Sequence, residues 1–202
     1  MRITSMLLIL TFAAGIAAAG ELDNAVKAMS GNEAQFTQHF TPKGFKTAQS
    51  ESGSVVFGTL PQMRWSYTKP EQKLFVFDGA NSWFYIPADK QVTVGRIDDA
   101  RKRELPFLLL GDVAARGRYF TMKEARRGNS VVATLQPRDA SAMIRTIDIT
   151  IAPSTHLITR VEYTDREGNR TAFDFSGYRG SAARPDLFRF TPPAGVQVVQ
   201  AQ

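Results

Sequence analysis

The chain has 202 residues, no cysteine, two histidines, and 25 basic against 19 acidic side chains, for a net charge of +6. Without cysteine there is no disulfide, no thiolate nucleophile and no cysteine-held metal, and two histidines are too few for a zinc site of three or four His or Cys ligands. At this length one domain with a real hydrophobic core is the default.

The N-terminus opens with Arg2, followed by an uncharged run over residues 6–19 that ends in Ala17-Ala18-Ala19, with Glu21 directly after. That is the layout of a cleavable secretory signal. The run is shorter than the roughly 20 residues that span a bilayer, and no basic stop-transfer cluster follows. The expectation is cleavage after Ala19, leaving residues 20–202 as a single exported domain. The absence of cysteine also excludes the lipidated-cysteine anchor of a bacterial lipoprotein, so the product is expected to diffuse freely.

Residues 21–30 (ELDNAVKAMS) carry Leu22, Ala25, Val26 and Met29 at helical spacing. Phe36 and Phe40 follow in a polar segment with β-character. From residue 50 the period changes to two. Residues 54–59, 63–67, 74–77, 82–86 and 91–97 are short β-branched and aromatic runs separated by Leu60-Pro61, Lys69-Pro70, Asp78-Gly79 and Pro87-Ala88. Residues 104–111 (ELPFLLLG) read as one short helix. Strands then resume at 119–125, 130–136, 146–151, 157–164 and 171–176, before a last segment at 187–198. The pattern predicts an antiparallel meander or barrel of about ten strands, with one helix before it and one inserted in its middle.

Catalytic signals are sparse. No GxSxG elbow, P-loop or GxGxxG occurs, and a lone histidine, His39 or His156, is far more often structural than catalytic; a triad assembled in space stays open. No cofactor is expected. The basic clusters Arg101-Lys102-Arg103 and Arg126-Arg127 have acids beside them and form no coherent stripe, which argues against nucleic acid.

The apolar inventory of the strands is more informative. Met63, Trp65 and Tyr67 alternate with Arg64 and Ser66, as a sheet with one wet face requires. Residues 74–77 (LFVF) and 83–86 (WFYI) are apolar on both faces, so something must cover each side. The run 105–110 is apolar nearly all round, too greasy for an exposed helix, and reads as a lid on the sheet. Two readings remain at this point, a dry core or a ligand cavity, and periodicity alone favours the core.

Ordered motifs shift that balance. Phe36-Thr37-Gln38, then Met63-Arg64-Trp65-Ser66-Tyr67, Pro70, Asp78-Gly79, Trp83-Phe84-Tyr85-Ile86-Pro87, Gln91-Val92, the Pro-Phe-Leu step at 106–108 and the ending Phe188-Arg189-Phe190-Thr191-Pro192-Pro193-Ala194-Gly195-Val196 together resemble the LolA family of periplasmic lipoprotein carriers. The resemblance implies a mainly β fold, an open antiparallel half-barrel with a helical lid over an apolar cavity. It implies a soluble periplasmic chaperone and not an enzyme. Such a chaperone takes acylated lipoproteins from an inner-membrane ABC transporter and delivers them to a LolB-like outer-membrane receptor; a monomer is assumed. On this reading Met63, Trp65, Phe75, Trp83, Tyr85, Phe107 and Leu109 are the candidate acyl-chain contacts or lid residues. Two rival functions are a carrier or sensor of the same fold for another lipid or glycolipid, and a lipid hydrolase with a spatially assembled site. One departure stands out: the family often carries an arginine, implied to help latch the lid, before the proline that precedes the Trp strand, and here that residue is Leu60.

Overall fold

Alternating apolar and polar residues build one open sheet of twelve strands, and the connections between them supply its covers. The computed structural model describes residues 20–182 and 184–201; the secretory-signal expectation for residues 1–19 lies outside the described residues. Helix α1 (Glu21–Met29) precedes β1 (Asn32–Thr41), β2 (Gln49–Phe57), β3 (Met63–Lys69), β4 (Lys73–Phe77), β5 (Asn81–Ile86) and β6 (Gln91–Arg96). Three short helices interrupt the meander: α2 (Asp99–Glu104), α3 (Pro106–Leu110) and α4 (Val113–Tyr119). Strands β7 (Phe120–Arg127), β8 (Ser130–Pro137), β9 (Ile144–Ala152), β10 (Leu157–Asp165) and β11 (Arg170–Gly180) follow. The chain ends in a 3-10 turn (Pro185–Phe188) and β12 (Gln197–Gln200). Among the described residues no helix is long and apolar enough to cross a membrane.

The spatial order is β12-β6-β5-β4-β3-β2-β1-β11-β10-β9-β8-β7, with β12 and β7 as edges that are unpaired among the described residues, so the sheet does not close on itself. The two meanders meet where β1 pairs antiparallel with β11. Strand β12 is the exception to the antiparallel expectation: it lies parallel to β6. The sequence also predicts one central helix where there are three. Helices α2 and α4 carry no apolar stripe to betray them. Their signals are caps: Asp98 accepts from the Arg101 amide (2.9 Å) and Asp112 from the Ala115 amide (2.9 Å).

Register sorts the side chains. Trp65 faces Phe75 across β3–β4 and Val55 across β2–β3, and Phe36 faces Phe175 across β1–β11. These residues therefore share the inner face. Over β8–β10 that face is closed by α1, whose buried stripe is Leu22, Ala25 and Met29. The helix is pinned by charge. Glu124 of β7 accepts from the Glu21 and Leu22 amides (3.0 and 2.9 Å), standing in for the cap that Gly20 cannot provide. Asp23 pairs with the buried Arg116 of α4.

The outer face of β3–β6 is covered too. Phe188 of the 3-10 turn is buried against it, Phe190 packs on Trp83 and Tyr85 (ring centroids 5.8 and 5.6 Å apart), and Arg64 Nη1 donates to the Leu187 carbonyl (3.2 Å). Val76 and Val92, opposite Trp83 and Tyr85 on the same face, are fully buried. The two-faced strands of the sequence thus have two covers: helices inside, the strap outside.

Candidate functional site

An apolar cavity of about 190 Å³ lies between the inner face and α3. Its sheet wall is Trp65, Tyr67, Phe75 and Phe77 from β3–β4, with Gln38, Tyr163 and Phe173 from β1, β10 and β11; its lid is Leu105, Pro106, Phe107 and Leu108. Pro106 occupies the first helical turn, where its missing N–H costs nothing. All five residues of α3 are buried. Phe107 is the keystone: its ring sits 4.7 Å from Trp65 and 5.0 Å edge-on to Phe173. Each such pair adds about 0.5–1.5 kcal/mol beyond the area it buries.

Backbone geometry makes room for these rings. Gly53 lies in β2 where its pairing with β3 shifts register. A β-carbon there would run into the Ser66 carbonyl. Without one, Phe36 and Tyr67 meet across it at 4.7 Å.

The cavity carries no ionised group. Burial raises the hydroxyls of Tyr67 and Tyr163 above the ordinary tyrosine range, so both stay protonated. Tyr67 donates to Gln38 Oε1 (2.6 Å), leaving a neutral polar rim. Beyond it the Glu51–Lys73 ion pair sits at the strand ends.

The lid is held in a frame. Lys102 of α2 pairs with Asp112, which caps α4 (2.9 Å), and Tyr119 donates to Asp99 at the start of α2 (2.7 Å). The amide of Ala115 and the ammonium of Lys102 hold the Asp112 carboxyl below the usual carboxylate range. Leu60 packs against the core beside the lid's C-terminal end at Gly111.

Of the seven candidates read from the sequence, the structure gathers Trp65, Phe75 and Phe107 on the cavity. Met63 and Leu109 are fully buried nearby, Met63 deeper on the inner face and Leu109 within the lid, without lining the space. Trp83 and Tyr85 are placed on the opposite face, under the strap. The inward residue of that strand is Phe84, stacked on Phe75 at 4.1 Å. A strand apolar on both faces gives no phase, and a slip of one residue exchanges the faces. Trp83 instead steadies the β4–β5 turn, its indole N–H donating to Asp78 (3.1 Å). Leu105, Pro106 and Leu108 line it as part of the run read from sequence as a lid, and Gln38, Tyr67, Phe77, Tyr163 and Phe173 line it without being singled out by sequence. Tyr67 and Phe77 are legible there, sharing the period-two face of Trp65 and Phe75.

The histidines have structural partners. His39 Nδ1 is 2.9 Å from Ser50 Oγ and its Nε2 3.4 Å from Asp174. That string of serine, histidine and aspartate lies on the outer face, where Asp174 is already the bidentate acceptor of Arg160 (2.6 and 2.7 Å). His156 Nδ1 meets Glu21 (2.7 Å) at the foot of α1.

The chain has relatives among known proteins. Residues 27–191 match the family described as Outer membrane lipoprotein carrier protein LolA. The outer-membrane lipoprotein carrier protein of Xanthomonas axonopodis pv. citri (strain 306) is 34% identical over 185 residues, covering 89% of this chain and 86% of the relative. That of Nitrosospira multiformis is 31% identical over 192 residues, covering 94% and 90%. Among solved structures, an uncharacterized conserved protein from Thermus thermophilus superposes with a TM-score of 0.54 at 15% identity, covering 90% of this chain and 97% of the other; this likeness speaks to the fold alone.

Proposed function

The chain belongs to the LolA family of outer membrane lipoprotein carriers, and from that premise we propose that it carries the acyl chains of lipoproteins in the cavity beneath α3. The observation that carries this reading is a wholly uncharged, aromatic-walled space closed by a helix whose every residue is buried.

Magnitudes make the lid a moving part. A cavity of roughly 150 Å³ takes one benzene. The space of about 190 Å³ is therefore too small for a full acyl chain. Loading requires α3 to lift, the acyl chain replacing Phe107 and Leu108 against Trp65 and Phe173. Burying a methylene stabilises by about 0.8 kcal/mol, so ~14 methylenes gain about 11 kcal/mol gross. A membrane offers a similar gain. Transfer is then close to neutral, which suits a carrier that must both take and release.

In this reading the leader of residues 1–19 directs export, and the mature monomer works in the periplasm. It receives cargo from an inner-membrane ABC transporter and passes it to a LolB-like receptor. Its role is that of a chaperone, without chemistry. Native mass spectrometry of protein purified from the periplasm tests the reading. Bound acylated peptide or lipoprotein is expected. Bound free lipid or glycolipid alone would transfer the role to another cargo. Cleaved lipid, with cleavage lost on changing His39 or His156, would make the chain an enzyme.

A further inference from the structure

The most exposed aromatic among the described residues stands at the open end of the cavity. Between β1 and β2, Pro42-Lys43-Gly44-Phe45 closes a turn in which the Phe45 amide donates to the Pro42 carbonyl (3.0 Å), with Gly44 at φ +84° in the position that requires it. Phe45 projects from this turn 69% exposed, between Lys43 and Lys46. Among the described residues neither lysine has an acidic side chain within ion-pair distance, and the loop from 42 to 48 contains no acid.

Two neighbouring loops extend the patch. The Lys43 amide donates to Asn169 Oδ1 (3.0 Å), which fixes the β10–β11 turn against the loop. In that turn the Arg166 amide donates to the Met143 carbonyl (2.7 Å), drawing in the β8–β9 loop. Met143 is 55% exposed. Of the acids in these turns, Asp165 accepts from Gly168 and Asn169 and Asp139 from Ser141, while the exposed Glu167 accepts from Asn169 Nδ2 (3.3 Å). One end of the sheet thus presents two bare apolar side chains set among Lys43, Lys46 and Arg166, with Glu167 as an exposed acid beside them.

The same end holds the mouth. Gln38 lines the cavity and also a groove that continues outward along Phe40, Gln49, Ser50, Glu51 and Pro70, at the strand ends that this loop joins. Inward residues of β1 therefore run without interruption from the core at Phe36, through Gln38 and Phe40, to the turn.

We propose that the Lys43–Phe45–Lys46 loop, with Met143 and Arg166 beside it, docks the open end of the cavity on an anionic lipid surface. Cations attract acidic headgroups within a Debye length, and an aromatic at the loop tip enters the interface. The contact is weak and reversible, as a shuttle needs: one aromatic and three cations anchor nothing permanently. Its position at the mouth gains its meaning from the carrier reading, but vesicle binding needs no cargo, so either can fail without the other.

The test is flotation of the cargo-free mature protein with vesicles of phosphatidylcholine alone and of equal parts phosphatidylcholine and phosphatidylglycerol. Salt-sensitive binding to the anionic vesicles only is expected. Lys43→Glu and Lys46→Glu should each weaken it at least about fivefold, taking a lysine near such a surface at its usual strength. Phe45→Ser should weaken it with the melting temperature unchanged, because the side chain touches no core. Phe45→Trp should report a blue-shifted emission on anionic vesicles. Absence of binding, equal binding to neutral vesicles, or Phe45 and lysine variants that bind as the parent does would each overturn the proposal. A loss of cargo delivery in those variants without any change in vesicle binding would overturn it too, making the loop a protein-docking surface instead.

Discussion

The Cβ of Leu60 lies 2.5 Å from where a β-carbon on Gly111 would stand. Gly111 closes α3 in an ordinary right-handed conformation (φ −80°, ψ −10°) that any residue can adopt. Glycine is needed there for proximity. The turn before β3 therefore braces the end of the lid through apolar contact at the position where the family resemblance implies an arginine. Gly111→Ala should push the lid off the turn and cost about 1–3 kcal/mol, the usual range for overpacking. Chemical denaturation measures the cost, and a hydrophobic dye should bind the variant more strongly than the parent.

Phe107 touches both walls of the cavity, Trp65 and Phe173. Phe107→Glu, or Leu109→Glu, places a charge where the lid must lie dry. Cargo binding should be abolished while the far-ultraviolet circular dichroism of the sheet is retained, since β8–β10 keep their own cover in α1. Phe107→Ala should keep the lid closed with a larger void and cost about 3 kcal/mol. Normal extraction of lipoprotein by the two Glu variants would remove α3 from the site.

The clamp around the lid sets a pH window. The folded-state pKa of Asp112 is lowered by the Ala115 amide and Lys102, so its contribution is present above the unfolded carboxylate value near 3.9 and is lost as pH falls through the lowered one. Lys102 is raised by its hydrogen bond to Asp112, so its contribution is present below about 10.4 and lost as pH rises through the raised value. Lid closure, read by dye exclusion, should be flat between about pH 5 and 9 and loosen on either side. Asp112→Asn keeps a capping side chain and should cost about 0.5 kcal/mol; Asp112→Ala loses cap and ion pair and should cost about 1.5 kcal/mol.

The strap on the outer face makes a contrasting case. Phe188 is buried there, and a β-carbon on Gly58 would meet its ring at 2.8 Å. Phe188→Ala should cost about 3 kcal/mol in equilibrium unfolding. It should leave acyl binding per folded molecule unchanged, because neither it nor Phe190 reaches the cavity.

The β-meander, the opening helix and a greasy lid are legible in the sequence because each has a period: two for the strands, three to four for α1, none for a segment buried all round. What stays hidden lacks a period or depends on pairing. Helix α2 is polar and the seven-residue α4 has no apolar stripe, so both are visible only through Asp98 and Asp112. Strand β12 merges in the sequence into one last segment from 187 to 198, although Pro192 and Pro193 break that run and its pairing with β6 is parallel. The site is least legible at 83–86, where Trp83 and Tyr85 stand out over Phe84 because aromatics on both faces give no phase. Phe173 and Tyr163 enter the cavity only because β11 pairs with β1 and β10, a long-range fact that no local pattern contains.

Photo-crosslinking in the periplasm, with a photoreactive phenylalanine analogue at one position at a time, decides whether acyl cargo occupies the space under α3. Crosslinks to lipoprotein are expected from positions 75 and 107, on the cavity, and not from 83 or 85, beneath the strap. Crosslinks from 83 and 85 with none from 75 and 107 would put the cargo on the other face of the sheet and contradict the cavity as its site.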